Sequence, residues 1–191
     1  MNNKKIYKYI GVTFVLIFLL NIAKAAKKGV RMFVLKDFDN NVRLKLLSIL
    51  DALQNLGLNE LQIKLALSQI LLETGQFSSK SNVVKLNNNF SGIKFINKPY
   101  QIATRGSNVP PSEKVAPANS PINFYAKFND VAEWAKDYVR ILNLRKNKPL
   151  TSNSIEEFHK RLTANKYYDT SKQKNIDNYL KMLRLYYQKI V

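Results

Sequence analysis

Ala66-Leu67-Ser68-Gln69-Ile70-Leu71-Leu72-Glu73-Thr74-Gly75 decides the reading of this chain. It closes a helix predicted over 60–74, capped by Asn59 and stopped by Gly75. Upstream, Val42, Leu46, Ile49, Leu50 and Leu53 form a helical stripe within 37–56 that ends at Gly57. Downstream the pattern breaks. Residues 76–121 are rich in Ser, Asn, Gly and Pro, lack helical period and suit loops with a small β-hairpin. Helical signals return at Asp130, which caps 131–142 with Trp134, Tyr138 and Ile141 on one face. Ser154-Ile155-Glu156-Glu157 fits a capping box opening a helix to Ala164, and a last helix over 176–190 packs Leu180, Leu183, Tyr187 and Ile190. Helices, a polar insert, then more helices make an α+β layout, mainly helical, and a long insert of this kind is commonly functional.

Composition narrows the chemistry. The chain has 191 residues, 46% of them hydrophobic, enough for one packed domain, read here as 32–191. It has no Cys, which excludes disulfides, thiolate metal sites and cysteine nucleophiles. Any His-based metal site or triad would rest on His159 alone, and its neighbours Lys160 and Arg161 put it on a solvated face. Carboxylates, Tyr, Ser, Thr and Lys remain. The net charge of +18 calls for an anionic partner: nucleic acid, lipid headgroups or an acidic wall polymer. Basic residues are spread along the chain rather than gathered on one recognition helix, so nucleic acid is not expected.

Residues 1–31 read as a separate segment, one hydrophobic helix with basic flanks. Tyr9 to Ala23 is uncharged, with Lys4, Lys5 and Lys8 before it and Lys24, Lys27, Lys28 and Arg31 after it. Fifteen residues fall short of the roughly 17–25 of a spanning helix. Snorkelling by Lys8 and Lys24 extends the span to 6–26 and makes it a membrane anchor. The rival is a secretory signal cleaved after Ala25, with Ala23 and Ala25 as the small residues of the cleavage site. The first reading is preferred. Orientation stays open, because both flanks are basic.

Glu73 is the residue that asks for chemistry. It ends an amphipathic helix, on the face of Ala66 and Ile70. Partial desolvation and the negative end of the helix dipole both disfavour its anion, as a general acid near neutral pH requires.

The stretch through Gly75, followed by Asn89-Phe90-Ser91-Gly92-Ile93-Lys94, resembles the glucosaminidase domains of glycoside hydrolase family 73, the fold of bacterial autolysins and of the flagellar rod-cap muramidase. There a helix ending A-x-x-[QA]-x-x-x-E-[ST]-G precedes N-[LY]-[FT]-G-[IL]-K by about twenty residues. Weaker likenesses are 124–130 to F-R-x-Y-D-S, Lys166-Tyr167-Tyr168-Asp169 to G-Y-A-T, and Tyr179-Leu180 to the closing Y-x-x-x-L helix. The likeness covers 44–187. Departures are Gln76-Phe77 in place of W-G, Ser91 in place of Phe, and one inserted residue between the motifs.

The resemblance implies a lysozyme-like domain with a small β-lobe that cleaves the β-1,4 glycan of peptidoglycan between N-acetylglucosamine and N-acetylmuramic acid, without cofactor or metal. It makes Glu73 the acid and Tyr167 a catalytic-site tyrosine. Glu113, forty residues after Glu73, matches the spacing of the family's second carboxylate. Asn89, Phe90, Gly92 and Lys94 would line the cleft floor. Tyr125, together with Tyr100, would stack on sugars, and Tyr168 stands one position off the family tyrosine. Lytic transglycosylation, which needs one carboxylic acid, and a silent wall-binding protein are the alternatives. The expected location is a membrane facing the cell wall, in a bacterial envelope or a phage virion; cleavage after Ala25 would make the protein secreted.

Overall fold

A computed structural model describes residues 35, 38–78, 82–111, 114, 116–117 and 119–191. The expected anchor over 1–31 and Glu113 lie outside the described residues. Among the described residues, no helix is long and apolar enough to cross a membrane.

The first helix, α1 (Asn40–Asn55), begins three residues later than the apolar stripe suggested, because the Asp39 carboxylate accepts from the Asn41 and Val42 amides at 2.9 and 3.0 Å and acts as its cap. The next, α2 (Glu60–Thr74), matches its predicted bounds. Asn59 and Gln62 exchange hydrogen bonds in a capping box, and Gly75 ends the helix in the left-handed region at φ 54°. Its residues from Leu65 through Leu71 are buried on every side, so α2 is the central helix of the domain.

The polar insert holds more structure than its composition suggested. A short helix, α3 (Asn82–Asn87), is a correction to the loop reading. Strand β1 (Thr104–Asn108) pairs antiparallel with β2 (Phe124–Lys127), with an irregularity between Arg105 and Asn108. The other edge of β2 pairs with the segment around Lys94, where the Ala126 amide donates to the Ile93 carbonyl at 2.8 Å and the Phe95 amide to the Phe124 carbonyl at 2.8 Å. Gly106 allows the lobe to close: a Cβ there would stand 2.7 Å from the Tyr125 carbonyl and 2.8 Å from Asn87 Oδ1.

Helix α4 (Val131–Leu144) starts at its Asp130 cap and buries Trp134, Tyr138 and Leu142. In α5 (Ile155–Ala164) the Ser154 hydroxyl accepts from the Glu157 amide. Glu157 reaches back to the Asn153 amide, one residue earlier than a capping box would. The last helix, α6 (Gln173–Lys189), starts three residues before the predicted Ile176 and buries Leu183 and Tyr186. Tyr187 is only half-buried, with the Lys64 ammonium 4.3 Å from its ring centroid. Packing of α6 against α2 and α5, and of α1 against α2 and α4, completes the core. His159 is buried rather than solvated, 7% exposed, because α6 covers that face of α5.

Candidate active site

Glu73 is the penultimate residue of α2, and it opens into a cleft of about 680 Å³. The helical side of the cleft brings Tyr138, Arg140 and Arg145, and the β-lobe side Ser91, Lys94 and Tyr125. Thr74 anchors the turn beneath the carboxylate: its hydroxyl donates to the Ile70 carbonyl at 2.7 Å and accepts from the Phe77 amide at 3.1 Å. Gln76 and Phe77 both adopt φ 59°, which carries the chain sharply away from Glu73.

The carboxylate sits among tyrosines. Tyr179 of α6 donates to Glu73 Oε1 at 2.6 Å. Tyr138 of α4 donates to Gln69 Oε1 at 2.7 Å, one helical turn before Glu73. Tyr167 lines the cleft and points its hydroxyl at the Ser91 carbonyl at 3.4 Å. Desolvation pushes all of these phenols above their ordinary range, and the Glu73 charge pushes them further, so they remain neutral donors. Glu73 is exposed along the open cleft, yet protein packs densely around its carboxyl. That desolvation raises its pKa above the usual carboxylate value, and the Tyr179 hydrogen bond partly offsets the rise. A proton held to higher pH on a group facing a cleft is what a general acid needs.

The expected site residues divide. Glu73, Tyr167, Gly92, Lys94, Tyr125 and Asn89 meet at the cleft. Asn89 is 1% exposed and spends its amide on the lobe: Nδ2 donates to the Ile93 and Ala126 carbonyls at 2.8 and 3.0 Å, and Oδ1 accepts from the Ile93 amide at 3.0 Å. Lys94 lies 4.4 Å over the Tyr125 ring. Phe90 is packed edge-on between Phe77 and Trp134 and belongs to the core. Trp134 is core, and its indole donates to Ser91 Oγ at 3.1 Å. Tyr168 turns away from the cleft to Thr163 and His159, because left-handed Lys166 at φ 50° precedes the pair and adjacent side chains diverge. Tyr100 is 55% exposed on the cleft, with the Arg140 guanidinium 4.9 Å from its ring.

Several residues were not found from sequence as site groups: Tyr138, Tyr179, Gln69, Arg140 and Arg145. Gln69 stands four residues before Glu73 on one helix, a legible signal. Tyr179 lies 106 residues away from its partner, and no local pattern joins them. Among the described residues lining the cleft, Glu73 is the one carboxylate. Nearby Asp137 is 1% exposed and is bound by Arg140 and by Gln101 Nε2 at 3.5 Å.

A desolvated carboxyl group opening into a cleft, ringed by neutral phenols, is equipped for acid-assisted cleavage of a glycosidic bond. A family model described as mannosyl-glycoprotein endo-β-N-acetylglucosaminidase matches residues 49–190, and the chain belongs to this glucosaminidase family. It is a glycosidase of the endo-β-N-acetylglucosaminidase kind. Comparison with curated proteins and with solved structures returns no match.

Proposed function

We propose that the protein degrades peptidoglycan, cleaving the β-1,4 bond between N-acetylglucosamine and N-acetylmuramic acid, with Glu73 protonating the leaving oxygen. The observation that carries this reading is Glu73 itself, a carboxyl group with a raised pKa facing a cleft in a glucosaminidase domain. Lys94, Arg140 and Arg145 along the same cleft suit a glycan bearing peptide carboxylates. Tyr167 orients the sugar or a water beside the acid, and Glu113 is the candidate second carboxylate for hydrolysis.

Lytic transglycosylation is the second reading. It uses the sugar's own 6-hydroxyl as nucleophile and a single acid, Glu73, and so needs no part from Glu113. Residues 6–26, uncharged over Tyr9 to Ala23 and flanked by lysines, tether the enzyme to a membrane facing the wall. Either a bacterium remodelling its own wall or a phage entering through one would use such an enzyme.

The test is digestion of purified peptidoglycan by the full chain and by Glu73→Gln, with mass spectrometry of the released ends. Reducing N-acetylglucosamine ends from the wild type alone support the first reading. Anhydromuramic ends select transglycosylation, and reducing muramic ends a muramidase. Equal inertness of both folded proteins would leave a wall-binding protein.

A further inference from the structure

Behind Glu73 lies a column of aromatic groups to which the proposed reaction assigns no part. Tyr179 donates to Glu73 Oε1 at 2.6 Å, and its ring lies flat on Tyr168 with centroids 3.8 Å apart and 3° between planes. The Tyr168 hydroxyl is 2.7 Å from His159 Nε2 and 2.7 Å from Thr163 Oγ1. Thr163 spends its proton on the His159 carbonyl at 2.9 Å, and His159 also bonds the backbone at Ile176, at the start of α6. The column therefore ties α5, the turn after it and α6 to one carboxylate oxygen.

We propose that Tyr179 is the positioning residue of Glu73: it pins Oε1, leaves Oε2 to carry the proton toward the glycan, and is itself held by the Tyr168–His159 stack. The inference rests on Glu73 being the acid. A carboxyl group has several torsions, and a proton donor must meet the leaving oxygen within hydrogen-bond reach, so fixing one oxygen selects the productive rotamer. The phenol also stabilises the anion, which keeps desolvation from raising the proton affinity further. The other titratable groups around Glu73 are Tyr138 from α4 and Tyr167 from the turn after α5. Arg145 lies 5.1 Å from the Tyr167 ring centroid, and Lys94 and Arg140 line the same cleft.

The experiment compares the full chain with Tyr179→Phe, which keeps the stacked ring and loses only the hydroxyl. Thermal unfolding confirms that each variant is folded. On purified peptidoglycan kcat should fall about tenfold with KM little changed, and the alkaline limb of the pH profile should move up. Carbon-13 NMR of labelled glutamate in the substrate-free protein should show the Glu73 titration moving up as well. An unchanged Glu73 titration, or wild-type kcat with an unmoved alkaline limb, overturns the positioning role. Glu73→Gln in the same assay separates the two ideas: an active Glu73→Gln sinks the assignment of the acid, whereas a dead Glu73→Gln beside an unaltered Tyr179→Phe sinks the positioning role alone.

Discussion

At the residue scale, the desolvation around Glu73 makes its anion costly to the fold. Its folded pKa is raised, so the folded state holds the proton more tightly than the unfolded chain does. That contribution is fully present below the unfolded value and is lost as pH rises through the folded one. Glu73→Gln should therefore melt at or above the wild-type temperature at pH 8, with the difference shrinking toward pH 4, measured by calorimetry at both pH values. Activity should follow the same proton: kcat/KM should fall on an alkaline limb lying above the ordinary carboxylate value. Helix position marked Glu73, because Ala66, Ile70 and Glu73 share a face, but it was the motif running through Gly75 and on to Gly92, by its resemblance to the glucosaminidases, that made it the acid. The tyrosines around it were not legible in that way. Tyr179 reaches Glu73 only because α6 packs across α2, and long-range packing leaves no local pattern in sequence.

Among the elements, those with strong terminal signals were read within a few residues. Asn59 with Gln62, Gly75, Asp130 and Ser154 each mark a helix end by side-chain or backbone chemistry that local sequence carries. The β-lobe was only partly legible. Helix α3 is six residues long with adjacent valines, too short and too β-branched for its period to register. Asn89 illustrates how a motif residue can serve the fold first. Its amide satisfies two carbonyls and two amides in a buried turn, so Asn89→Ala should lose about 2–4 kcal/mol in urea unfolding, as breaking a buried network does. Gly106→Ala should cost more than a simple surface change, about 1–3 kcal/mol, because its Cβ would press on the Tyr125 carbonyl and Asn87. Gly57→Ala has open space at its Cβ and pays only for φ 81°, roughly 1 kcal/mol.

Charge belongs to the whole molecule. A net charge of +18 in a chain of 191 residues draws it to anionic polymers before any cleft contact forms. Co-sedimentation with purified peptidoglycan should therefore weaken steeply between 50 mM and 500 mM salt, as the Debye length contracts. Glu73→Gln should sediment as the wild type does, since one charge among many changes little. Salt-independent binding would instead place the affinity in the cleft. On the proposed function, cleft and charge divide the labour: the basic surface would gather substrate, and the tyrosine-ringed Glu73 carboxyl group would do the chemistry.

The central claim is that Glu73 donates the proton, and its most direct measurement is kcat/KM of the full chain against Glu73→Gln on one purified peptidoglycan. A general acid contributes about 10²–10⁴-fold, so the variant should lose at least a hundredfold while folding and binding the wall normally. A folded Glu73→Gln within tenfold of wild type would contradict the account.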